Sequence, residues 1–437
     1  MPQGRVMEDA GERRHFLRQG TRMPEITDAS PPPVAAPEPG LTPQEIIARA
    51  QALIPAVREQ QDEAERLGHH TDALNREFVS AGFYRILQPR RFGGYEFGLP
   101  AFWQVMLAIA AGDPGTGWGL TLGAHHALVV GAWFSEEGQR DIFGPAGDYR
   151  GPHRAPPTGR AEQVDGGYRV SGTWDYCSGI AHATHFMGNA MSAGVTGQSR
   201  AESLVVVIPR EQVTVLDDWG GGVTLGMNSS GSASVRVDDV FVPAHRTTGG
   251  NWTRHNEPAP GAALHGNGLY CGRIYAIYHA GLVIPVIGAA RAALAEYEHI
   301  ITTRKTYLPP QVPRYTHPDH QRPYGQALAL TDAAEGLVLQ VAGRYTELSG
   351  RWLAGGQPFT REDDVRLYAM VQQAGQLAGQ AVDVIWAAAS SSAARRGQRL
   401  QRYYRDVAMY RSHIAAQHLA TAGELARVHF GLPDTLF

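Results

Sequence analysis

Apolar positions along this chain recur with two periods, and the switches between them divide it. Residues 1–40 show no apolar period and turn Pro-rich in SPPPVAAPEPG, which predicts a disordered leader. Thr42-Pro43 then reads as an N-cap followed by a first-turn proline. Ile46, Ile47, Ala50, Leu53, Ile54 and Val57 follow at helical spacing. Further helices are expected at about 72–81, closed by Gly82, and at 99–111. The run GDPGTGWGLTLGAHHALVVGAWF mixes glycine with apolar residues, as a buried helix packed closely on a neighbour does. Residues 41–148 therefore form an N-terminal helical domain. From 149 to 250 the period becomes two: Tyr168, Val170, Trp174 and Tyr176 alternate, as do Ala233, Val235 and Val237. A middle antiparallel β domain, barrel or sandwich, is expected there. Helical spacing returns at about 263–303, 325–354, 362–393 and 396–430, so residues 251–437 predict a four-helix bundle. The fold class is α+β.

Composition narrows the function classes. With 43% apolar residues the chain can bury a large core, and a formal charge of −3 offers no basic field for nucleic acid or an anionic membrane. Cys177 and Cys271, far apart in sequence, suit reduced thiols and a cytoplasmic location. No run of about 20 apolar residues predicts a membrane span. Lys305 is the single lysine, and Thr303 and Arg304 before it supply no P-loop glycine. GxSxG and HExxH are missing, and no GxGxxG follows a predicted strand, so electrons would have to come either from a substrate or as reduced flavin delivered by a separate reductase.

Four patches, PRRFGG, YRVSGTWDYCSG, VRVDDVFVP and LQRYYRD, occur in an order that resembles the acyl-CoA dehydrogenase superfamily from about residue 41 onward. The resemblance implies helical domain, β domain and four-helix bundle, with a flavin between the last two. It assigns Trp174, Ser178 and Gly179 to the flavin ring. The loop RGPHRAPPTG, with Pro152 and Gly159, falls at the pyrimidine side, and Arg304 at a flavin phosphate, reached across a subunit interface of a homotetramer. Asn228 stands where relatives carry an arginine. Trp118, His125, His126 and Tyr410 are expected on the substrate side.

The decisive position is His413. The stretch MYRSHIAAQ resembles the place where dehydrogenases of this superfamily carry a catalytic glutamate, and no glutamate is there. Desaturation needs a carboxylate to take an α-proton; an imidazole suits a phenol instead. The branch with histidines at both places is the two-component flavin-dependent monooxygenases. It implies reduced flavin (FMNH2 or FADH2) from a separate NAD(P)H-flavin reductase, molecular oxygen, and a C4a-hydroperoxide that hydroxylates an aromatic small molecule. His413 would be the base, His126 would orient the substrate and Ser178 would hold the flavin edge. The alternatives are an acyl-CoA dehydrogenase-like flavin enzyme and an N- or S-oxygenase on the same fold.

Overall fold

The computed structural model describes residues 33–192, 202–250 and 255–433, so most of the expected leader lies outside the described residues. Residues 33–40 do not behave as a leader: Val34 bridges Phe92, and Glu38 pairs with Arg49 at 2.7 Å.

Seven helices follow: α1 (Pro43–Glu59), α2 (Gln61–Leu67), α3 (Asp72–Ser80), α4 (Gly98–Gly112), α5 (Pro114–His125), α6 (Ala127–Trp133) and α7 (Glu136–Phe143). Thr42 caps α1 through a reciprocal box with Glu45, as the sequence suggests. The glycine-rich stretch is two helices where one was expected, broken at His126. Its glycines do allow close approach: a Cβ on Gly117 would lie 2.5 Å from the Ala110 side chain.

One open sheet follows, built from β1 (His153–Val164), β2 (Gly167–Trp174), β3 (His185–Ser192), β4 (Glu202–Pro209), β5 (Thr214–Val215), β6 (Val235–Pro243) and β7 (Thr247–Gly249). Its order is β5-β6-β2-β1-β3-β4-β7. The expected closed barrel is not formed, because the edge strands β5 and β7 do not pair, and β1 runs parallel to β3 where a wholly antiparallel sheet was expected. Alternation in β2 buries Val170 and Trp174, but Tyr176 lies beyond the strand with φ of 53° and its ring half exposed.

The C-terminal helices are α8 (Pro260–His265), α9 (Tyr275–Thr303), α10 (Pro318–Leu353), α11 (Arg361–Ala388), α12 (Arg399–Ser412) and α13 (His418–His429). The expected first helix starts later, because Gly266 adopts a left-handed turn after α8, and the expected last one stops at His413. Helix α9 is long and apolar enough to cross a membrane by length and composition, which the sequence expectation did not foresee; 83% of that window is buried inside the protein. One hydrophobic core joins α4 to α9, α10 and α11, and a second, around Trp174, lies within the sheet.

Candidate active site

Five pieces of chain meet where the sheet faces the helices: α5 and α6, the start of β1, the turn after β2, the first turns of α9 and the end of α12. The turn is fixed by Gly179, whose φ of 88° and backbone N–H bonds to Ser230 and Gly231 carbonyls fold it back against α5. A Cβ there would lie 2.5 Å from the Gly119 carbonyl oxygen. The turn thereby sets Ser178 Oγ to accept the Trp118 indole N–H at 3.1 Å. Ser178 continues into a buried hydroxyl chain, 2.7 Å to Ser232 and 2.6 Å from there to Ser230.

His413 is the residue on which α12 ends. Its ring stands edge-on to Trp118 at 5.5 Å between centres. Its Nδ1 accepts the Ala415 amide at 3.0 Å, so in the neutral ring the proton sits on Nε2. Burial, helped by the charge of Arg154, lowers its pKa to about 4, and at neutral pH it is an N–H donor. In that tautomer the Nδ1 lone pair is engaged by the Ala415 amide and Nε2 presents an N–H.

His126 has the opposite arrangement. Its Nδ1 lies 2.8 Å from the Gly151 carbonyl, an acceptor only, so Nδ1 carries the proton and Nε2 holds a lone pair. Nε2 is buried and has no protein partner, and the same is true of both ring nitrogens of His125. Burial lowers His126 to about 4, and burial with the neighbouring His126 lowers His125 to about 3. Buried polar atoms without partners are uncommon in folded proteins, and three of them fall on these two adjacent rings.

Beside them runs a relay with no motif in the sequence. His153 Nε2 donates to Asn189 Oδ1 at 2.7 Å, and Asn189 Nδ2 donates to Ser203. His153 Nδ1 is then the acceptor for the Tyr278 hydroxyl, in a short hydrogen bond. The Tyr278 ring lies 5.4 Å from His126 and 6.0 Å from His125. Arg154, next along β1, donates from Nε and Nη2 to Asp175 at 3.0 and 2.8 Å.

The family model for the acyl-CoA dehydrogenase C-terminal domain matches residues 280–418. The flavin-dependent monooxygenase oxygenase subunit HsaA of Rhodococcus jostii is 30% identical over 398 residues, 89% of this chain and 98% of that protein. The chain belongs to the flavin-dependent monooxygenases. The FADH2-dependent resorcinol hydroxylase oxygenase component of a Rhizobium species is 29% identical to this monooxygenase, covering 75% of its chain and 80% of the relative. The crystal structure of 3-HSA hydroxylase from Rhodococcus sp. RHA1 superposes with a TM-score of 0.80 at 27% identity, over 90% of this chain and 98% of that one.

The monooxygenase brings His413, Trp118, Ser178, Gly179, His125 and His126 into this one region, with Pro152 at its β1 edge; the other expected residues serve mainly in packing or lie farther off. Trp174 is fully buried in the sheet core, its indole N–H donating to the Asn189 carbonyl, so its ring reaches a cofactor only through its neighbours. Gly159 serves that packing, since a Cβ on it would lie 2.1 Å from Trp174. Pro152 accepts the Met187 amide at the start of the β1–β3 pairing. Tyr410 is buried in the bundle, near enough to Gly375 that a Cβ there would be 2.7 Å from its hydroxyl. Arg304 caps the far end of α9 and donates to Ser392 at 2.7 Å, roughly 39 Å along the helix from Tyr278 at 1.5 Å per residue. Asn228 is buried and donates to Glu65 at 3.3 Å, which makes it a fastening between its loop and α2. His153 sits inside RGPHRAPPTG, and Tyr278-His279 forms a polar interruption at the head of an apolar 29-residue helix. That interruption was the available signal for Tyr278.

Proposed function

We propose that this chain is the oxygenase component of a two-component aromatic hydroxylase, working in the cytoplasm as a homotetramer. It takes reduced flavin from a separate NAD(P)H-flavin reductase, together with molecular oxygen, and adds one oxygen atom to the ring of a phenolic small molecule. The observation that carries the reading is His413 against Trp118, itself hydrogen-bonded to Ser178: an imidazole stands where desaturation would need a carboxylate. The relatives' names, an oxygenase subunit and an FADH2-dependent oxygenase component, support both the cofactor and the reductase. The division at 41–148, 149–250 and 251–437 belongs to the same reading.

The residues present suit a flavin. Ser178 and the Gly179 turn offer polar groups for a ring edge, Trp118 and His413 offer flat walls, and His125 and His126, farther along the stretch that carries Trp118, hold buried ring nitrogens without partners. Bound reduced flavin would supply the electrons that activate oxygen. Arg304 would serve a flavin phosphate only in a neighbouring copy of the tetramer, given its place at the far end of α9.

His126 Nε2 accepts the substrate hydroxyl, and the Gly151 carbonyl keeps that nitrogen's lone pair aimed outward by fixing the tautomer. A pKa near 4 is too low to hold a phenol's proton at rest. The transfer becomes favourable as the ring loses electron density to the incoming oxygen and its hydroxyl turns strongly acidic. His413 Nε2–H donates a hydrogen bond on the Trp118 side, and the buried Trp118 ring limits water.

The test is direct. Titrate the purified chain with reduced FMN and FADH2 without oxygen, then mix with ¹⁸O-labelled oxygen and a phenol. Labelled hydroxylated product is expected. A chain that takes up neither reduced flavin, or whose product carries no label, ends the proposal.

A further inference from the structure

The directions of the hydrogen bonds around Tyr278 limit what can bind beside it. Asn189 Oδ1 fixes the His153 proton on Nε2, so the Tyr278 hydroxyl spends its own proton on His153 Nδ1. Toward any ligand the Tyr278 oxygen is then an acceptor. His126 Nε2 is an acceptor as well, because Gly151 holds the proton on its other nitrogen. The two ring centres lie 5.4 Å apart, so the two acceptors belong to neighbouring rings.

Charge limits the ligand further. Among the described residues, Arg154 is the cation whose charge acts on His153, Tyr278 and His413. It is already compensated by Asp175 through two donors. The remaining groups are neutral imidazoles and a phenol. A ligand carboxylate would meet lone pairs at His126 and Tyr278, and would have to displace Asp175 to find a cation. Unpaired acceptors facing each other in a site of low polarity are costly.

We propose that His126 and the Tyr278–His153 pair select an uncharged aromatic bearing two hydrogen-bond donors, such as a dihydroxylated ring, over a phenol bearing a carboxylate. This rests on the oxygenase reading only in taking the region around His126 and Tyr278 as the substrate site. Specificity of this kind is strong because a site built to pair with a hydroxyl leaves its own polar group unsatisfied when the hydroxyl is missing.

The experiment is calorimetric titration of the full chain loaded with reduced flavin in the absence of oxygen, so that binding is read without turnover. The probes are phenol, the three dihydroxybenzenes, 3-methoxyphenol and 4-hydroxyphenylacetate. The tightest dihydroxybenzene is expected to bind about tenfold or more tighter than phenol, with 4-hydroxyphenylacetate weaker than phenol. In Tyr278→Phe the phenol-to-dihydroxybenzene ratio of Kd falls toward one. In His153→Phe the Tyr278 hydroxyl is released as a donor, and 3-methoxyphenol gains on the dihydroxybenzenes. Tightest binding of 4-hydroxyphenylacetate overturns the proposal, as does a second-hydroxyl advantage that survives in Tyr278→Phe with its circular dichroism unchanged. Failure to take up reduced flavin at the first step sinks the oxygenase reading instead, while flavin uptake and phenol binding without preference sink only this inference.

Discussion

The Asp406 carboxylate, two turns before His413 on α12, accepts the backbone N–H of Met227 at 2.5 Å. That bond ties the helix ending at His413 to the loop that carries Ser229, Ser230 and Ser232. Ser229 in turn donates to Asp113, the cap of α5, so three elements of the site are fastened within one buried patch. Arg402 and Arg405 complete the fastening by reaching Glu65 on α2. In Asp406→Ala the Met227 amide loses its partner in a buried place, which costs roughly 1–3 kcal/mol. Urea unfolding should show that loss, and the affinity for reduced flavin should fall with it because the Ser178–Ser232 chain loosens.

Asp406 also predicts a pH effect. Burial, followed by the Asp113 carboxylate, raises its pKa from 3.8 to about 7. The folded state then holds a proton that the unfolded state releases, so this group's contribution to stability declines as pH rises from about 4 to about 7. The full span is on the order of 4 kcal/mol. Asp406→Asn cannot titrate, and its stability should lack that decline when urea midpoints are compared with the parent across the same window.

The imidazoles act with the opposite slope. His126 and His413 are lowered to about 4, chiefly by burial, against an ordinary 6.5. Below pH 6.5 the unfolded chain takes up protons that these folded rings refuse. Stability therefore falls as pH drops from 6.5 toward 4, by up to about 3 kcal/mol for each ring. In His413→Asn the acid unfolding midpoint should move to lower pH than in the parent; an unchanged midpoint would mean that the ring is solvated.

The two rings should also separate in catalysis. His126→Ala removes the acceptor for the substrate hydroxyl and should lower hydroxylation by about 10²–10⁴-fold. His413→Gln keeps an N–H donor and should lose much less product. Product and hydrogen peroxide measured in the same single-turnover mixture check this. Equal losses in both variants would favour His413 as the base.

Gly179→Ala tests the turn that carries Ser178. A left-handed φ of 88° and a Cβ 2.5 Å from the Gly119 carbonyl oxygen make alanine strained there. A loss of about 1–3 kcal/mol is expected from thermal unfolding, with altered Trp118 fluorescence as the Ser178 bond lengthens.

Much of the site was legible because its residues lie in local patterns. Trp118 and His126 are eight apart on one glycine-rich stretch, and His413 follows an amphipathic helix that the RYYRD core marks. What escaped was made by approach in space. His153, Tyr278 and Asn189 come from β1, α9 and β3 and share no spacing, so only the packed sheet and bundle bring them together.

Apolar periodicity by itself determined which regions are helical and which are strands, though not every boundary, and residue identity determined that imidazole rather than carboxylate ends α12, because both are properties of neighbours along the chain. The tautomers of His126 and His413, the open edges of the sheet and the burial of Trp174 were decided by the tertiary structure alone. The tautomer of His126, the sheet edges and the burial of Trp174 depend on which carbonyl or side chain from a distant segment comes within hydrogen-bond or packing distance, and that of His413 on how the chain turns after α12 to bring the Ala415 amide onto Nδ1.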